Sequence, residues 1–338
     1  MPRIILPEMA GTLFDSWHQM IAGSARVYWL APPPTGPVAE QLSAALAACE
    51  TDLRVVAAAQ PDAQAGNRSW LLDSAGELNR AVGSTGPLAI VVDASGRLAA
   101  RLPAPTPHGV IDLATRLYAA STPAVVRMQA PVLLLDQLLE PALCQALIDH
   151  WHRGRKSANG VASASGASIA DTEMKRRQDV PLDDARLFLQ VRDRLVRRLM
   201  PAILQAFQTR IVQIEAPRIG SYDAGPGGWF RRHRDNTTEY TAHRQFALSV
   251  NLNPDDEYDG AALRFPEFGR QLYRPAAGGG VIFSCALLHE VLPVTRGCRF
   301  GLFTFLHDQS RDGQYRRLIT QAKAQGMGGF RMRNERSN

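Results

Sequence analysis

Apolar and polar positions change period several times along the chain, and each change predicts an element. Ala25-Arg-Val-Tyr-Trp-Leu30 is a short run rich in β-branched and aromatic residues, which predicts a strand. Pro32-Pro-Pro34 stops it, and Val38 to Cys49 follows as an Ala- and Leu-rich amphipathic helix. Leu53-Arg-Val-Val-Ala-Ala58 is a second strand, and Leu71 to Gly83 reads as a turn and then a helix. Pro87 to Asp93 is a third strand, Ala94-Ser-Gly-Arg97 a hairpin turn, and Leu98 to Leu102 the returning strand. His108 to Ala119 closes the segment as a helix, and Ser121-Thr-Pro-Ala124 is a short linker.

Beyond the linker, Val132-Leu-Leu-Leu-Asp136 is a strand. Glu140 to Trp151 is an amphipathic helix with Pro141 in its first turn, where a missing N–H costs little. Arg153 to Ala170 is rich in Gly, Ala and Ser and reads as a mobile loop able to close over a site. Leu182 to Phe207 predicts one or two buttressing helices, interrupted at Pro201. Ile211 to Ala216 leads into the strand Arg218-Ile-Gly-Ser-Tyr222, a turn at Gly225 to Gly228, and further apolar strands up to Asp308. Asp255-Asp-Glu-Tyr-Asp259 reads as a solvated turn rather than a cation site. Gln314 to Gln325 predicts a last helix, and Arg331 to Asn338 a frayed basic tail.

Composition narrows the class without deciding it. The 338 residues suggest two domains, and 45% hydrophobic with 21% charged residues is ordinary for a soluble globular protein. No apolar run is long enough to span a bilayer, and the N-terminus has no signal-peptide pattern, so a cytoplasmic chain is expected. Cys49, Cys144, Cys285 and Cys298 show no Cys-x-x-Cys or zinc spacing and read as reduced thiols. Residues 1–120 carry 8 Lys+Arg and 10 Asp+Glu, a net of −2; against totals of 38 and 32, the rest carries 30 and 22, a net of +8. A basic second half can attract an anionic cosubstrate or an acidic partner. Nucleic acid is disfavoured, because no Lys/Arg run is interleaved with aromatics.

The candidate chemistry lies between Ser221 and Asp308. On a strand, His233 and Asp235 share a face and Arg234 takes the other. With His289 from a distant strand they make a 2-His-1-carboxylate set, whose open positions favour non-haem Fe(II) and O2 activation. Arg299 then opens the apolar run Arg299-Phe-Gly-Leu-Phe-Thr-Phe305, where a guanidinium can hold a carboxylate through two parallel hydrogen bonds. Plainer readings exist for each part. His-Arg-Asp also opens the protein-kinase catalytic loop, but no Asp-Phe-Gly or phosphate-binding loop accompanies it. His289 alone reads as a satisfied core histidine, as His243 and His307 do, and Arg299 alone as an ion-pair partner. The combination favours iron.

These residues fall into a longer ordered set: Tyr222 and Gly225, His233 and Asp235, Ser249-Val-Asn-Leu-Asn253, Gly260 before Leu263-Arg-Phe265, Gly278 to Gly280 before Val281-Ile-Phe283, then His289, Pro293-Val294, Gly297 and Arg299. The set resembles the core of Fe(II)/2-oxoglutarate dioxygenases of the prolyl 4-hydroxylase-like branch. The resemblance is close over the stretch from Ser221 to Asp308 and weaker back to Val132. It implies a double-stranded β-helix (jelly-roll) core with its metal held by His233, Asp235 and His289. It further implies 2-oxoglutarate and O2 as cosubstrates, ascorbate as a candidate accessory, and Arg299 with Tyr222 on the far carboxylate of 2-oxoglutarate. Trp229, Phe230 and Arg264 are candidates for the substrate side; their plain reading is packing.

The strand and helix order of residues 1–120 resembles a thioredoxin-like domain, closest to peroxiredoxins. Asp73 with Gly76, Val82-Gly83, Pro87, and Asp93 with Gly96-Arg97 carry the likeness. Such proteins place a reactive Cys after the first core strand, near a helix start that lowers its pKa. Here that loop is Ala31-Pro-Pro-Pro-Thr-Gly-Pro37 and has no cysteine, while Cys49 lies at the far end of the helix as an expected buried thiol. The expected fold class is therefore α+β: a redox-inactive α/β thioredoxin-like domain over 1–122, a jelly-roll dioxygenase domain with buttressing helices over 128–310, and a C-terminal helix and basic tail over 311–338. Three functions follow. The first is hydroxylation of a peptide or protein residue such as proline, with the extra domain as a docking surface. The second is hydroxylation of a small molecule such as an amino acid or secondary metabolite. The third is a non-catalytic scaffold, which the intact triad and Arg299 argue against. Oligomeric state is not legible.

Overall fold

In the computed structural model the chain forms two compact units, Met1–Val125 and Val126–Asn338. The structure describes residues 5–7, 13–15, 24–58, 70–94, 96, 98–120, 125–158, 160–162, 168–170 and 173–324. Arg97, the linker Ser121 to Ala124 and the tail from 325 onward lie outside the described residues. Among the described residues, no helix is long and apolar enough to cross a membrane.

The first unit opens with an antiparallel pair, β1 (Ile5–Pro7) and β2 (Leu13–Asp15). It continues through β3 (Ala25–Leu30), α1 (Gly36–Ala48), β4 (Thr51–Ala57), β5 (Trp70–Leu72), α2 (Glu77–Ala81), β6 (Leu88–Val92), β7 (Leu98–Pro103) and α3 (Pro107–Ala120). The sheet order is β5-β4-β3-β6-β7; β3, β4 and β5 run parallel, and β6 and β7 pair antiparallel. All of β6 is buried, because both faces are covered. Val27, Trp29, Ala89 and Val91 pack with Leu42, Leu46, Val110 and Ala114 of α1 and α3. Tyr28, Leu30 and Ile90 pack on the other face with Leu71 and Leu78. β5 falls where the sequence pattern shows only a turn, since three residues are too few to display a period. Cys49 corrects a further expectation: it is partly exposed at the end of α1, where the chain turns through Glu50 at φ 49°. All four cysteines are free thiols.

The second unit begins with β8 (Leu133–Leu135) and α4 (Pro141–Arg153), then β9 (Ser157–Ala158), β10 (Gly160–Ala162), β11 (Ser168–Ala170), β12 (Lys175–Arg176) and β13 (Gln178–Pro181). α5 (Ala185–Arg194) runs through a π turn at Leu195–Leu199 into α6 (Met200–Phe207). β14 (Ile211–Ile214), β15 (Arg218–Asp223), β16 (Trp229–His233), β17 (Phe246–Asn251), β18 (Tyr258–Gly260), β19 (Leu263–Arg264), β20 (Leu272–Tyr273), β21 (Gly280–Ser284), β22 (His289–Val291), β23 (Val294–Asp308) and α7 (Gln309–Ala324) complete it.

The larger sheet runs β8-β21-β17-β23-β15-β13-β9, with β14 and β18 also on β23; the smaller runs β12-β16-β22-β19-β20. Side-chain alternation gives the larger sheet two different faces. Ile219, Leu248, Val250, Ile282, Leu302 and Leu306 point outward and bury Leu147, Val191, Leu199 and Ile203 of the helical layer. Tyr222, Ala247, Val281 and Phe283 point inward and share one apolar cluster with Leu263, Phe265 and Val291, which connects this face to the smaller sheet.

Two expectations change here. Pro201 does not interrupt the helix; it sits in the first turn of α6, directly after the π turn. Its missing N–H would leave a gap in a regular α-ladder, and the wider turn accommodates it. The stretch from 153 to 170 carries the short strands β9, β10 and β11, with β9 on β13 and β10 on β11, so its described part is not simply a loop.

Candidate active site

His233 ends β16 and His289 begins β22, directly opposite each other in an antiparallel register. Their rings stand 4.2 Å apart between centroids. Asp235 lies past the end of β16, so strand alternation is not what brings it in. A turn does, fastened by the Asp235 N–H to the Cys285 carbonyl at 2.9 Å. The Asp235 Oδ1 is 3.4 Å from His233 Nε2 and its Oδ2 is 3.4 Å from His289 Nε2. One ligand atom from each residue falls within 4.8 Å of the others, and among the described residues no other group of three such side chains converges this way.

The donor chemistry fits a divalent cation. His233 Nδ1 is 2.7 Å from the Arg231 carbonyl and His289 Nδ1 is 3.0 Å from the Leu287 carbonyl. A carbonyl only accepts, so each Nδ1 carries the hydrogen and each Nε2 of a neutral ring presents a lone pair. His233 Nε2 is buried and makes no hydrogen bond of its own. Burial pushes the Asp235 carboxyl up, but the neighbouring His289 and His233 imidazoles outweigh it and hold it below the usual range. Burial pushes His289 down, toward the neutral form that a metal needs. Phe230 stacks on the His233 ring at 3.6 Å, and Phe283 meets His289 edge-on at 4.7 Å, so neither imidazole is free to swing.

Arg299 lies on β23 opposite Tyr222 on β15. It is 3% exposed. It donates to the Asn251 side-chain oxygen (3.2 Å), the Ala261 carbonyl (2.9 Å) and the Ser249 hydroxyl (3.2 Å). All three are neutral acceptors, and among the described residues Arg299 has no carboxylate partner. Burial pulls its pKa down. Such a cation calls for an anion from outside the protein. Arg296, the other basic residue nearby, is exposed and already paired with Asp259 at 2.7 Å. Tyr222, beside Arg299, belongs to the same buried cluster as Phe283 and Phe265, which touch His289.

The three substrate-side candidates separate. Phe230 lies against His233. Trp229 sits between the Arg176 and Arg231 guanidinium groups, 5.7 and 4.9 Å from its ring. Arg264 pairs across the smaller sheet with Glu290, which points away from the face that carries His289, and donates to that carboxylate at 2.7 Å. It is therefore not brought to the metal side. His243 and His307 are both buried, the former 2.9 Å from Glu215. Asp255 to Asp259 make ion pairs with Arg274 and Arg296 at their ends.

Sequence patterning overlooked Lys175, Arg177 and Asp179. These buried charges sit where the chain passes from β12 in the smaller sheet to β13 in the larger, and Asp179 binds both bases. The signal was present as a charged residue at every second position, Lys175-x-Arg177-x-Asp179, which is a strand with one ionic face.

The model of the 2OG-Fe(II) oxygenase superfamily matches residues 218–307, the span from β15 to the end of β23. A PKHD-type hydroxylase of Shewanella sp. (strain ANA-3) is 31% identical over 176 residues, covering 51% of this chain and 73% of that protein. One of Caulobacter sp. (strain K31) is 28% identical over 209 residues, covering 57% and 82%. Among solved structures, a Pseudomonas putida prolyl-4-hydroxylase aligns with a TM-score of 0.42 at 22% identity, over 54% of this chain and 94% of that one. A Trichoplax adhaerens prolyl hydroxylase, solved with a hypoxia inducible factor peptide fragment, aligns at 0.43 and 16% identity, over 54% and 86%. With the matched span carrying Tyr222, His233, Asp235, His289 and Arg299, the chain belongs to the 2OG-Fe(II) oxygenase superfamily and is a 2-oxoglutarate-dependent dioxygenase that uses Fe(II) and O2.

Proposed function

We propose that His233, Asp235 and His289 hold the Fe(II), that Arg299 and Tyr222 receive the far carboxylate of 2-oxoglutarate, and that the enzyme hydroxylates an unactivated C–H bond in a peptide or protein residue such as proline. The observation that carries the cosubstrate assignment is the buried Arg299, which finds only neutral acceptors in the described protein. Fe(II), when bound, supplies the chemistry by which O2 converts 2-oxoglutarate to succinate and CO2 and adds one oxygen atom to the substrate. The chain's own work is geometric. Two carbonyls hold the imidazole tautomers, and Phe230 and Phe283 hold their planes. The apolar layer around Phe265 and Val291 keeps water from the reacting atoms.

A chain-borne substrate is supported by the strand that carries the first imidazole: β16 leads away from His233 through the exposed Arg232 and Arg231 to the half-buried Trp229, a surface that a peptide can follow. Residues 128–310, within the second unit, are read as the double-stranded β-helix domain. Residues 1–122 are read as a redox-inactive thioredoxin-like domain that serves docking. The parallel β3-α1-β4 unit flanked by the antiparallel β6-β7 pair and α3 supports the thioredoxin-like fold, and the cysteine-free loop from Ala31 to Pro37 the missing redox chemistry. Iron-loaded protein with 2-oxoglutarate and a cell extract that retains both its peptides and its small metabolites, followed by mass spectrometry, tests the substrate class. Peptides gaining one oxygen only with 2-oxoglutarate are expected. Oxygenated small metabolites with unmodified peptides would replace this substrate class by the small-molecule one.

A further inference from the structure

Arg177 has no part in the readings above, yet it touches the site. It is 8% exposed, and its contacts include Asp179 and the Tyr222 phenol. Nε donates to Asp179 Oδ1 at 2.5 Å and Nη2 to Asp179 Oδ2 at 2.8 Å, a two-pronged pair. Nη1 donates to the Tyr222 phenol oxygen at 3.2 Å. Asp179 is itself buried and is held from its other side by Lys175 Nζ at 2.9 Å. Rotation of Arg177 away from the phenol would break both prongs. Gly220 makes room for the pair: a Cβ there would come within 2.7 Å of Asp179 Oδ1 and 2.8 Å of the Arg177 side chain.

A phenol oxygen can accept and donate, whereas a guanidinium only donates. The contact therefore fixes Tyr222 as acceptor toward Arg177 and turns its hydrogen elsewhere. A second guanidinium, Arg299, lies 5.9 Å from the centre of the Tyr222 ring, and it too offers only donors. Tyr222 is fully buried, and among the described residues its hydroxyl hydrogen has no protein acceptor. A buried O–H that accepts from one guanidinium, on a ring that lies beside a second, is suited to an anionic acceptor.

We propose that Arg177 is a positioning residue for the cosubstrate: held by Asp179, it directs the Tyr222 hydroxyl hydrogen to the carboxylate that Arg299 receives. This rests on the reading that Arg299 and Tyr222 take the far carboxylate of 2-oxoglutarate. The test is calorimetric binding of two ligands to the full-length chain loaded with Mn(II). One is 2-oxoglutarate; the other is 2-oxopentanoate, which keeps the keto acid and lacks the far carboxylate. Arg177→Met and Tyr222→Phe are each expected to weaken 2-oxoglutarate about threefold to tenfold, the range of one hydrogen bond. Their double variant is expected to be no weaker than Tyr222→Phe alone, and 2-oxopentanoate affinity is expected to stay unchanged throughout. Arg177→Lys cannot span both partners without the fork and is expected to lose affinity in the same range. It completes the cycle if the Met variant fails to fold. Full affinity in the Arg177 variants, additive losses in the double, or equal weakening of both ligands would overturn the proposal. Retained 2-oxoglutarate affinity in Arg299→Met would remove the anchoring reading and this proposal with it. Additive losses beside an intact Arg299→Met effect remove this proposal alone.

Discussion

Arg299 brings a charge into a place with 3% exposure and shares it with an amide, a carbonyl and a hydroxyl. Neutral acceptors satisfy its geometry but do not compensate its desolvation. We expect Arg299→Ala to weaken 2-oxoglutarate binding tenfold to a hundredfold, the loss of a charge-assisted pair at about 1.5–3 kcal/mol, with metal affinity preserved. Titration calorimetry with metal and then cosubstrate separates the two effects. An unchanged cosubstrate affinity would move the anchor to another base, and Arg296 would have to leave Asp259 to supply it. His289→Ala removes one of three protein ligands and is expected to abolish 2-oxoglutarate-dependent succinate formation. Full turnover in that variant would sink the ligand assignment.

At the scale of elements, the site depends on how β18 returns along β23. Tyr258 pairs with Gly297 and Gly260 with Val294, with a register shift between Asp259 and Gly260. This irregular pairing carries Tyr258 inward, where its hydroxyl donates to the Asn251 oxygen that also accepts from Arg299. Gly297 sits at φ 67°, and a Cβ there would run into the Glu257 carbonyl oxygen. Backbone atoms cannot give way as a flexible side chain can. Gly297→Ala is thus expected to destabilise the enzyme by about 1–3 kcal/mol. It should also weaken 2-oxoglutarate binding, because Arg299 follows two residues later on the same strand. Urea unfolding and cosubstrate titration check both; wild-type stability would show that the turn relaxes more easily than its geometry suggests.

The whole molecule should be acid-labile through its buried charges. Burial pushes Glu215 up, but Arg244 and His243 outweigh it and hold its pKa at about 2 against an ordinary 4.5. The unfolded chain therefore binds the proton more readily. Stability from this group is fully present above about pH 4.5 and is lost as the pH falls toward about 2. Asp179 acts in the same direction. His307, pushed down by burial and by His243, adds a loss that begins as pH drops through 6.5. Glu215→Gln is expected to lower stability at neutral pH, by leaving Arg244 buried without its partner, and to flatten the fall between about pH 5 and 2. Urea midpoints across that range read the slope, and a slope equal to wild type would contradict the assignment. In the first unit, Cys49 lies at the C-terminal end of α1, away from the helix start at which thioredoxin-like enzymes place a reactive thiol. The full chain is expected to consume no peroxide and to reduce no insulin disulfide. Thiol-dependent catalysis that disappears in Cys49→Ser would restore a redox role.

Periodicity alone was enough for the elements whose residues bury themselves in a regular way. The runs at 25–30, 88–92 and 218–222 declare strands because apolar residues there recur at strand spacing or fill a doubly covered strand. His233, Asp235 and His289 were legible as a candidate metal set, and Arg299 as a candidate anchor, because metal and carboxylate binding restrict residue type so strongly; the structure brings the first three within 4.8 Å of one another. Long-range pairing decided the rest. Asp235 reaches the imidazoles through a turn anchored on Cys285, a contact that no local spacing encodes. Arg264 looked available in sequence, but the register of β19 on β22 turns it to the face of Glu290. Lys175, Arg177 and Asp179 lacked the apolar alternation that marks a strand, and their short strands exist because β16 and β15 are there to pair with. Their burial, and the contact of Arg177 with Tyr222, arise only when two sheets meet, since a side chain's partner across a sheet is set by register and not by its neighbours in the chain.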